Sequence, residues 1–193
     1  MNAQNPISRQ KTAIRRLEMS RPVRLALEHG LLAPQTTFFD YGCGLGDDIG
    51  YLSQREIASR GWDPTHRPHQ EHIPSDVVNL GYVINVIEDP IERENALRQA
   101  WFLTKKLLIV SARLSIEIRN GLSPNHFADG YLTSRGTFQK FYEQHELRDW
   151  INHVLGVQCL AVAPGIFFVF QDNDLLQSFA ASRYRRRSTA PRQ

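Results

Sequence analysis

Short apolar runs alternate along this chain with segments whose apolar residues recur at helical spacing. Buried strands are predicted at residues 38–40, 57–62 and 106–113, and within the apolar run 76–87, which also holds the loop leaving the strand. Because strands that alternate with helices build parallel sheets, the pattern predicts an α/β fold with a mostly parallel sheet.

Helix start and stop signals place several helices between these strands. Ser20 with Pro22 opens a helix that stops at Gly30, and Asp89 with Pro90 opens another. Further helices are predicted at residues 7–19, at 47–54, from Thr133 or Ser134 through Phe138, Phe141, Tyr142 and His145, and at 147–155.

The end of the chain predicts a hairpin and then a tail. Two apolar runs, 157–163 and 166–171, flank a Pro164-Gly165 turn and predict an antiparallel hairpin at the sheet edge. The residues after Asp174 are expected to be mobile. The chain therefore divides into a basic helical segment 1–35 packed on the core, a main domain 36–174, and a basic, flexible tail 175–193.

The run FFDYGCGLGDD, residues 38–48, reads as a strand, a tight turn and a helix start. Its Gly-x-Gly-x-Gly spacing suits a backbone that takes positive φ or approaches a ligand closely. Dinucleotide enzymes place the third glycine one residue later and rest a pyrophosphate on the helix start, where Asp47 and Asp48 would repel it. The carboxylates can tolerate a ligand that carries an ammonium and a sulfonium. With Asp40 two positions before the first glycine, the run resembles motif I of class I S-adenosylmethionine methyltransferases. The alternative is a glycine-rich turn without a ligand.

A second acidic residue ends the next strand. Asp63 follows the predicted strand 57–62, where a carboxylate can hold two ribose hydroxyls. A strand-terminal Asp-Pro turn is the alternative for this residue alone, but its position after the glycine turn favours ribose binding.

The loop at residues 64–75 is short and rich in histidine and proline. His66, His69 and His72 would align on a helix, but three prolines oppose one, and no metal site is predicted. Because the loop is too short for a strand-helix unit, the third strand of the sheet is expected to be reduced or missing.

Composition and charge indicate the cellular compartment and the kind of binding partner. The chain has 193 residues and a net charge of +3, and it carries no run of transmembrane length and no secretory signal. Two cysteines make no disulfide framework, so a reducing cytoplasm is expected. The basic residues concentrate in 1–24 and 183–193. They suggest a nucleic-acid partner, with plain solvated termini as an equal alternative.

Several segments together resemble the bacterial DNA phosphorothioation-associated methyltransferase family, over about residues 11–187. The segments are FDYGCGLGDD, GWDP, DVVNLGYVINVIEDP, and the stretch YLTSRGTFQKFYEQHELRDWINHVLGVQCLAVAPGIFFVF. The resemblance implies a Rossmann-like class I methyltransferase sandwich, S-adenosylmethionine as cofactor, and DNA or another nucleic acid as methyl acceptor. DNA-modification proteins are the implied partners.

The resemblance also implies a cofactor site. The implied cofactor-binding residues are Asp40, Tyr41, Gly42, Cys43, Gly44, Gly46, Asp63, Gly81 and Tyr82. Candidate catalytic residues at the end of the central strand are Tyr82, Asn85 and Glu88. The segment Asn79-Leu80-Gly81-Tyr82 occupies the place of the Asn/Asp-Pro-Pro-aromatic motif of base amino methyltransferases, but without its prolines. It could be a degenerate motif or an ordinary strand.

Two other functions fit parts of the sequence. One is a catalytically inactive cofactor-binding module that acts as a partner in a DNA-modification or restriction assembly. The other is a nucleotide-dependent oxidoreductase, which the early third glycine and Asp47 disfavour.

Overall fold

The computed structural model describes residues 7–118 and 125–189, which build on a six-stranded central sheet. The strand order is β2-β1-β3-β4-β9-β8; the first four strands run parallel, and β9 and β8 form an antiparallel hairpin at one edge. The strands are β1 Thr37–Tyr41, β2 Ala58–Trp62, β3 Ser75–Gly81, β4 Thr104–Ser111, β8 Cys159–Ala163 and β9 Ile166–Phe170. This confirms the predicted α/β sandwich.

The expected loss of the third strand is also confirmed. β2 is an edge strand, and residues 63–74 return directly to β3, which pairs with the other side of β1. A further strand with its crossover helix would need a longer segment than this one. The proline-rich residues form only turns and an isolated bridge between Asp63 and Arg67.

Helices cover both faces of the sheet. They are α1 Arg21–Glu28, α2 Asp47–Ser53, α3 Pro90–Phe102, α4 Gln144–Leu155 and α5 Asn173–Thr189. Neighbouring strand residues point to opposite faces, so Phe39 joins the core under α3 and α4, whereas Phe38 joins the core under α1 and α5. Among the described residues, no helix is long and apolar enough to cross a membrane.

The structure corrects the predicted helix at residues 7–19. Only Arg9–Thr12 forms a single 3-10 turn, and the chain then continues without regular secondary structure to α1. This segment is held by side chains far away in sequence rather than by its own helical bonds.

A second correction concerns the region before α4. The helix predicted from Thr133 or Ser134 is absent, and a small three-stranded sheet takes its place. Its strands are β5 Asn125–Phe127, β6 Gly130–Leu132 and β7 Phe138–Gln139. Phe138 is fully buried in this sheet, and α4 begins only at Gln144, with Glu143 and Glu146 in a capping box.

The tail expected to be mobile from residue 175 is helical through Thr189. Its docking residue is Phe179, which is buried and lies 5.3 Å from the Phe170 ring and 5.6 Å from the Phe168 ring, between ring centroids. The apolar contact, invisible in the basic composition, orders this part of the tail. Residues 190–193, with Arg192, lie outside the described residues, and the division into three parts stays a prediction.

Candidate functional site

The glycine turn after β1 takes a backbone that side chains would not allow. Gly42, Gly44 and Gly46 have φ values of 83°, 53° and 83°, in the left-handed region. A Cβ on Gly42 would lie 2.4 Å from Cγ2 of Val83, so the turn packs directly against the loop after β3. The turn then opens α2 at Asp47.

Asp40, at the end of β1, is a buried carboxyl group. Its Oδ1 accepts a hydrogen bond of 2.8 Å from the Asn79 side chain on β3, and it is 4% exposed. Burial, assisted by the charge of Asp48, raises the pKa of Asp40 to about 7. The group therefore stands near half ionisation at neutral pH. The Asn79 side chain is bound to Asp40 and does not line the cavity. A degenerate catalytic motif would require Asn79 to line it.

Asp63 fastens the end of β2 to the glycine turn. Its Oδ2 accepts from the Gly44 backbone N–H at 3.0 Å, and its Oδ1 accepts from the N–H groups of Thr65 and His66. Because a carboxylate has about four acceptor positions, one remains for a ligand hydroxyl. The carboxylate thus shapes the turn and stays available to a ribose.

The loop after β3 carries the candidate catalytic residues. Tyr82 has a φ of 60°, a strained value for a residue with a side chain, and such strain concentrates at functional sites. Asn85 is 1% exposed, and its Oδ1 has no hydrogen-bond partner within the described parts of the chain. Glu88 lies outside the cavity and binds Arg9.

One cavity of about 810 Å³ brings most of these residues together. It is lined by the predicted residues Asp40, Tyr41, Gly42, Cys43, Gly44, Asp63, Gly81, Tyr82 and Asn85. Gly46 and Glu88 do not line it; Gly46 instead shapes the start of α2. The volume lies within the range of ligand pockets, and the position, outside the carboxyl ends of parallel strands, is where open α/β sheets bind ligands.

The N-terminal strap, residues 8–16, lies along this cavity, and no sequence pattern predicts it there. Lys11, Thr12, Ala13, Ile14 and Arg16 line the cavity. A Cβ on Gly44 would lie 3.2 Å from that of Ala13, so the strap packs on the glycine turn.

One end of the strap is fixed by Arg9. Its guanidinium donates two hydrogen bonds to Glu88, at 2.7 and 2.9 Å, and two to Glu92, at 2.6 and 2.8 Å. Partial burial acts against ionisation of Glu88, but the bonds from Arg9 prevail and hold the pKa of Glu88 below its usual value. Glu88, one of the candidate catalytic residues, therefore also anchors the strap.

The other end is fixed by the helix-start carboxylates. Asp47 accepts the Arg16 backbone N–H at 2.6 Å, and the buried Asp48 accepts the Ser20 backbone N–H at 2.7 Å and the Arg16 guanidinium at 3.2 Å. The two carboxylates that disfavour a pyrophosphate thus also position the strap. The Arg16 guanidinium lies 6.0 Å from the centre of the Tyr82 ring, so the strap reaches the β3 loop.

The histidine loop packs on aromatic residues. His72 lies 4.7 Å from the Trp62 ring and 5.3 Å from the Tyr41 ring, between centroids. Within residues 7–118 and 125–189, no group of three or more histidine, cysteine or acidic residues could hold a metal. His66 alone of the three histidines lines the cavity. Trp62 gives the cavity a flat apolar wall beside Asp63.

Several solved structures have a fold similar to that of this chain. A sugar N-methyltransferase from Streptoalloteichus matches with a TM-score of 0.53 and 14% identity, over 75% of this chain and 83% of its own. A SAM-dependent methyltransferase from Aquifex aeolicus matches at 0.51 and 16%, over 86% and 97%. The magnesium protoporphyrin IX methyltransferase of Synechocystis, with bound SAH, matches at 0.52 and 15%, over 84% and 83%.

No protein-family model matches the chain. No curated protein sequence matches it either. At these identities the structural matches establish the fold, which is the Rossmann-like fold of S-adenosylmethionine-dependent methyltransferases.

Proposed function

We propose that this chain is an S-adenosylmethionine-dependent methyltransferase whose acceptor is DNA or another nucleic acid, in association with DNA phosphorothioate modification. The observation that carries the proposal is the cavity in which the glycine turn, Asp40 and Asp63 meet the end of β3. The phosphorothioation link rests on the resemblance of the run 76–90, and the nucleic-acid acceptor on that resemblance and on the basic residues.

The residues of the cavity fit the cofactor. Asp40, Asp47 and Asp63 line one end, which suits a ligand with an ammonium and a sulfonium. A Cβ at Gly42 or Gly44 would enter space filled by Val83 or Ala13, so only glycine lets the turn pack against the two segments that line the cavity beside it. When bound, S-adenosylmethionine supplies a methyl group on a positively charged sulfur.

The chain's own contribution would be alignment and exclusion of water. Asp40 would receive the ammonium, Asp63 the ribose and Trp62 the adenine, and the strap would cover the turn. Tyr82 and Asn85 stand at the end of β3, where an acceptor would approach. Bringing two groups into line can supply several kcal/mol, roughly 7–11 in the best cases, without any proton transfer.

A specific observation favours the inactive module as the second candidate. Of the three predicted catalytic residues only Tyr82 and Asn85 line the cavity, and neither is a base at neutral pH, since burial raises the pKa of Tyr82 further. A fold with an intact cofactor end and without a base among its predicted catalytic residues in the cavity would suit a binding partner of a modification enzyme. The oxidoreductase stays disfavoured, because Asp47 lines the cavity in the first turn of α2, where its carboxylate would repel a pyrophosphate.

Transfer of a labelled methyl group from S-adenosylmethionine tests the proposal. Double-stranded DNA, phosphorothioated DNA, RNA and protein serve as acceptors. Tyr82→Ala and Asn85→Ala should lose transfer while they retain S-adenosylhomocysteine, and Asp149→Asn, at an exposed carboxylate outside the cavity, is the control that should retain transfer. Cofactor binding without transfer to any acceptor would favour the module, and retention of NADH instead would favour the oxidoreductase.

A further inference from the structure

Acidic and basic side chains both line the cavity, and they come largely from different elements. The acidic residues Asp40, Asp47 and Asp63 line the end beside the glycine turn, whereas Lys11, Arg113 and Arg135 line the wall that the strap, the segment after β4 and the β6–β7 turn contribute. We name these three basic residues the cationic edge. The charges of opposite sign suit two ligands with opposite charges.

The cationic edge differs from the other basic residues near the site. Arg9 binds Glu88 and Glu92, and Arg16 binds Asp48. Within the described parts of the chain, the side chains of Lys11, Arg113 and Arg135 make no ion pair and no side-chain hydrogen bond, and all three are exposed. Their charge is therefore open to a ligand.

The acidic residues around that wall are already engaged. Glu92 is bound by Arg9, and Glu117 accepts the Leu114 backbone N–H at 2.9 Å. Asp129, in the β5–β6 turn, is bound by Arg93 and Lys140. Glu117 keeps its charge, because a backbone N–H does not neutralise a carboxylate. The three cations of the cationic edge still outnumber this one carboxylate, which lines the cavity without a cationic partner among the described residues.

Hydroxyl groups accompany the cationic edge. Thr133 and Ser134 line the cavity next to Arg135, and the hydroxyls of Thr133 and Thr137 lie 2.6 Å apart. Arginine or lysine with nearby hydroxyl donors is the usual composition of a contact to the phosphates of a nucleic acid.

We propose that Lys11, Arg113 and Arg135 bind backbone phosphates of the methyl acceptor and direct it toward the methyl group in the acidic half of the cavity. This inference rests on the proposed function and names the surface that would recognise its substrate. The sequence suggested nucleic-acid contact through the basic termini, whereas this inference places the contact at the wall of the cavity. Two basic residues of the N-terminal segment, Arg9 and Arg16, already form ion pairs within the protein.

The test compares two triple variants with equal change in net charge. Lys11→Gln, Arg113→Gln and Arg135→Gln remove the cationic edge. Arg60→Gln, Arg98→Gln and Lys105→Gln remove three exposed cations that do not line the cavity. Binding of a labelled double-stranded oligonucleotide is measured against salt concentration, and S-adenosylhomocysteine binding is measured on every variant.

The cationic-edge variant should bind the oligonucleotide more weakly, with a salt slope flatter by about 0.9 for each phosphate that is no longer neutralised. The control variant should keep the wild-type slope, and both should keep their S-adenosylhomocysteine affinity. Equal slopes for the wild type and the cationic-edge variant, or no oligonucleotide binding by the wild type, would overturn the inference. Failure of the wild type to bind S-adenosylhomocysteine would instead overturn the proposed function.

Discussion

Ionisation of Asp40 should couple cofactor binding to pH. The carboxyl group is buried beside Asn79, and its pKa is about 7 in the free protein. If the ammonium of the cofactor lies near it, the ionised form is favoured, and binding must release the proton that the free protein holds. Affinity should therefore rise with pH.

The size of the effect follows from the pKa. With a pKa of about 7, Asp40 is about one tenth ionised at pH 6 and about nine tenths ionised at pH 8. Binding that needs the carboxylate should then strengthen by about tenfold between these values, which corresponds to about 1.4 kcal/mol. Asp48 and Asp63 raise this pKa and Arg16 lowers it, so changes at those residues should move the midpoint.

Calorimetric titration with S-adenosylhomocysteine at pH 6, 7 and 8 checks this prediction. Repeating it in buffers with different ionisation enthalpies counts the protons released. Asp40→Asn keeps an oxygen that can accept from Asn79 and should bind weakly without pH dependence, whereas Asp40→Ala should abolish binding. Asp149→Asn, at an exposed carboxylate, is the control for net charge. A wild-type affinity that is constant from pH 6 to 8, or a pH dependence that survives Asp40→Asn, would refute the reasoning.

Three further predictions concern stability and the strap. Because folding raises the pKa of Asp40 from 3.8 to about 7, the wild type should lose about 3 kcal/mol of unfolding free energy between pH 4 and pH 7 relative to Asp40→Asn. Urea melts at both pH values measure this loss, and equal profiles for the two proteins would contradict it. Arg9→Ala should cost about 1 kcal/mol or less in stability but speed cofactor release in stopped-flow, with Arg24→Ala as a control at an exposed ion pair; an unchanged release rate would mean that the strap does not hold the cofactor. Phe179→Ala should destabilise by about 3 kcal/mol in denaturant melts, and a loss below about 1 kcal/mol would show that α5 is not docked.

The parts of the fold that the sequence predicted are those with local signals. Gly42, Gly44 and Gly46 mark the turn, and Asp89 with Pro90 marks the start of α3, where the Asp89 side chain accepts the Ile91 backbone N–H. The proline-rich loop explains the missing strand. Each of these signals acts within a few residues, so no knowledge of the rest of the chain is needed.

The parts that the sequence did not predict depend on distant partners. The strap is held by Glu88 and Asp48, 79 and 32 residues away from Arg9 and Arg16, and nothing local marks those pairs. The docking of α5 through Phe179 is likewise a tertiary contact.

The β6–β7 turn was also not predicted, but for a different reason, because a local sequence signal for it is present. Gly136, with a φ of 72°, lies between two short apolar runs, and its backbone N–H donates to the Thr133 carbonyl. The helical spacing of Phe138, Phe141 and Tyr142 competes with this glycine and favours the wrong element. In the candidate site, the pairing of Glu88 with Arg9 could not be predicted for the first reason, because Arg9 lies on the distant strap. The catalytic role of Glu88 stays a prediction.

The most direct test of the central claim is a calorimetric titration of the wild-type chain with S-adenosylmethionine and S-adenosylhomocysteine, with NADH as the competing ligand. Binding of one S-adenosyl ligand per chain, lost in Asp40→Ala and not displaced by NADH, is the predicted result. No binding of either S-adenosyl ligand, or binding of NADH in their place, would contradict the claim that this cavity holds the methyl donor.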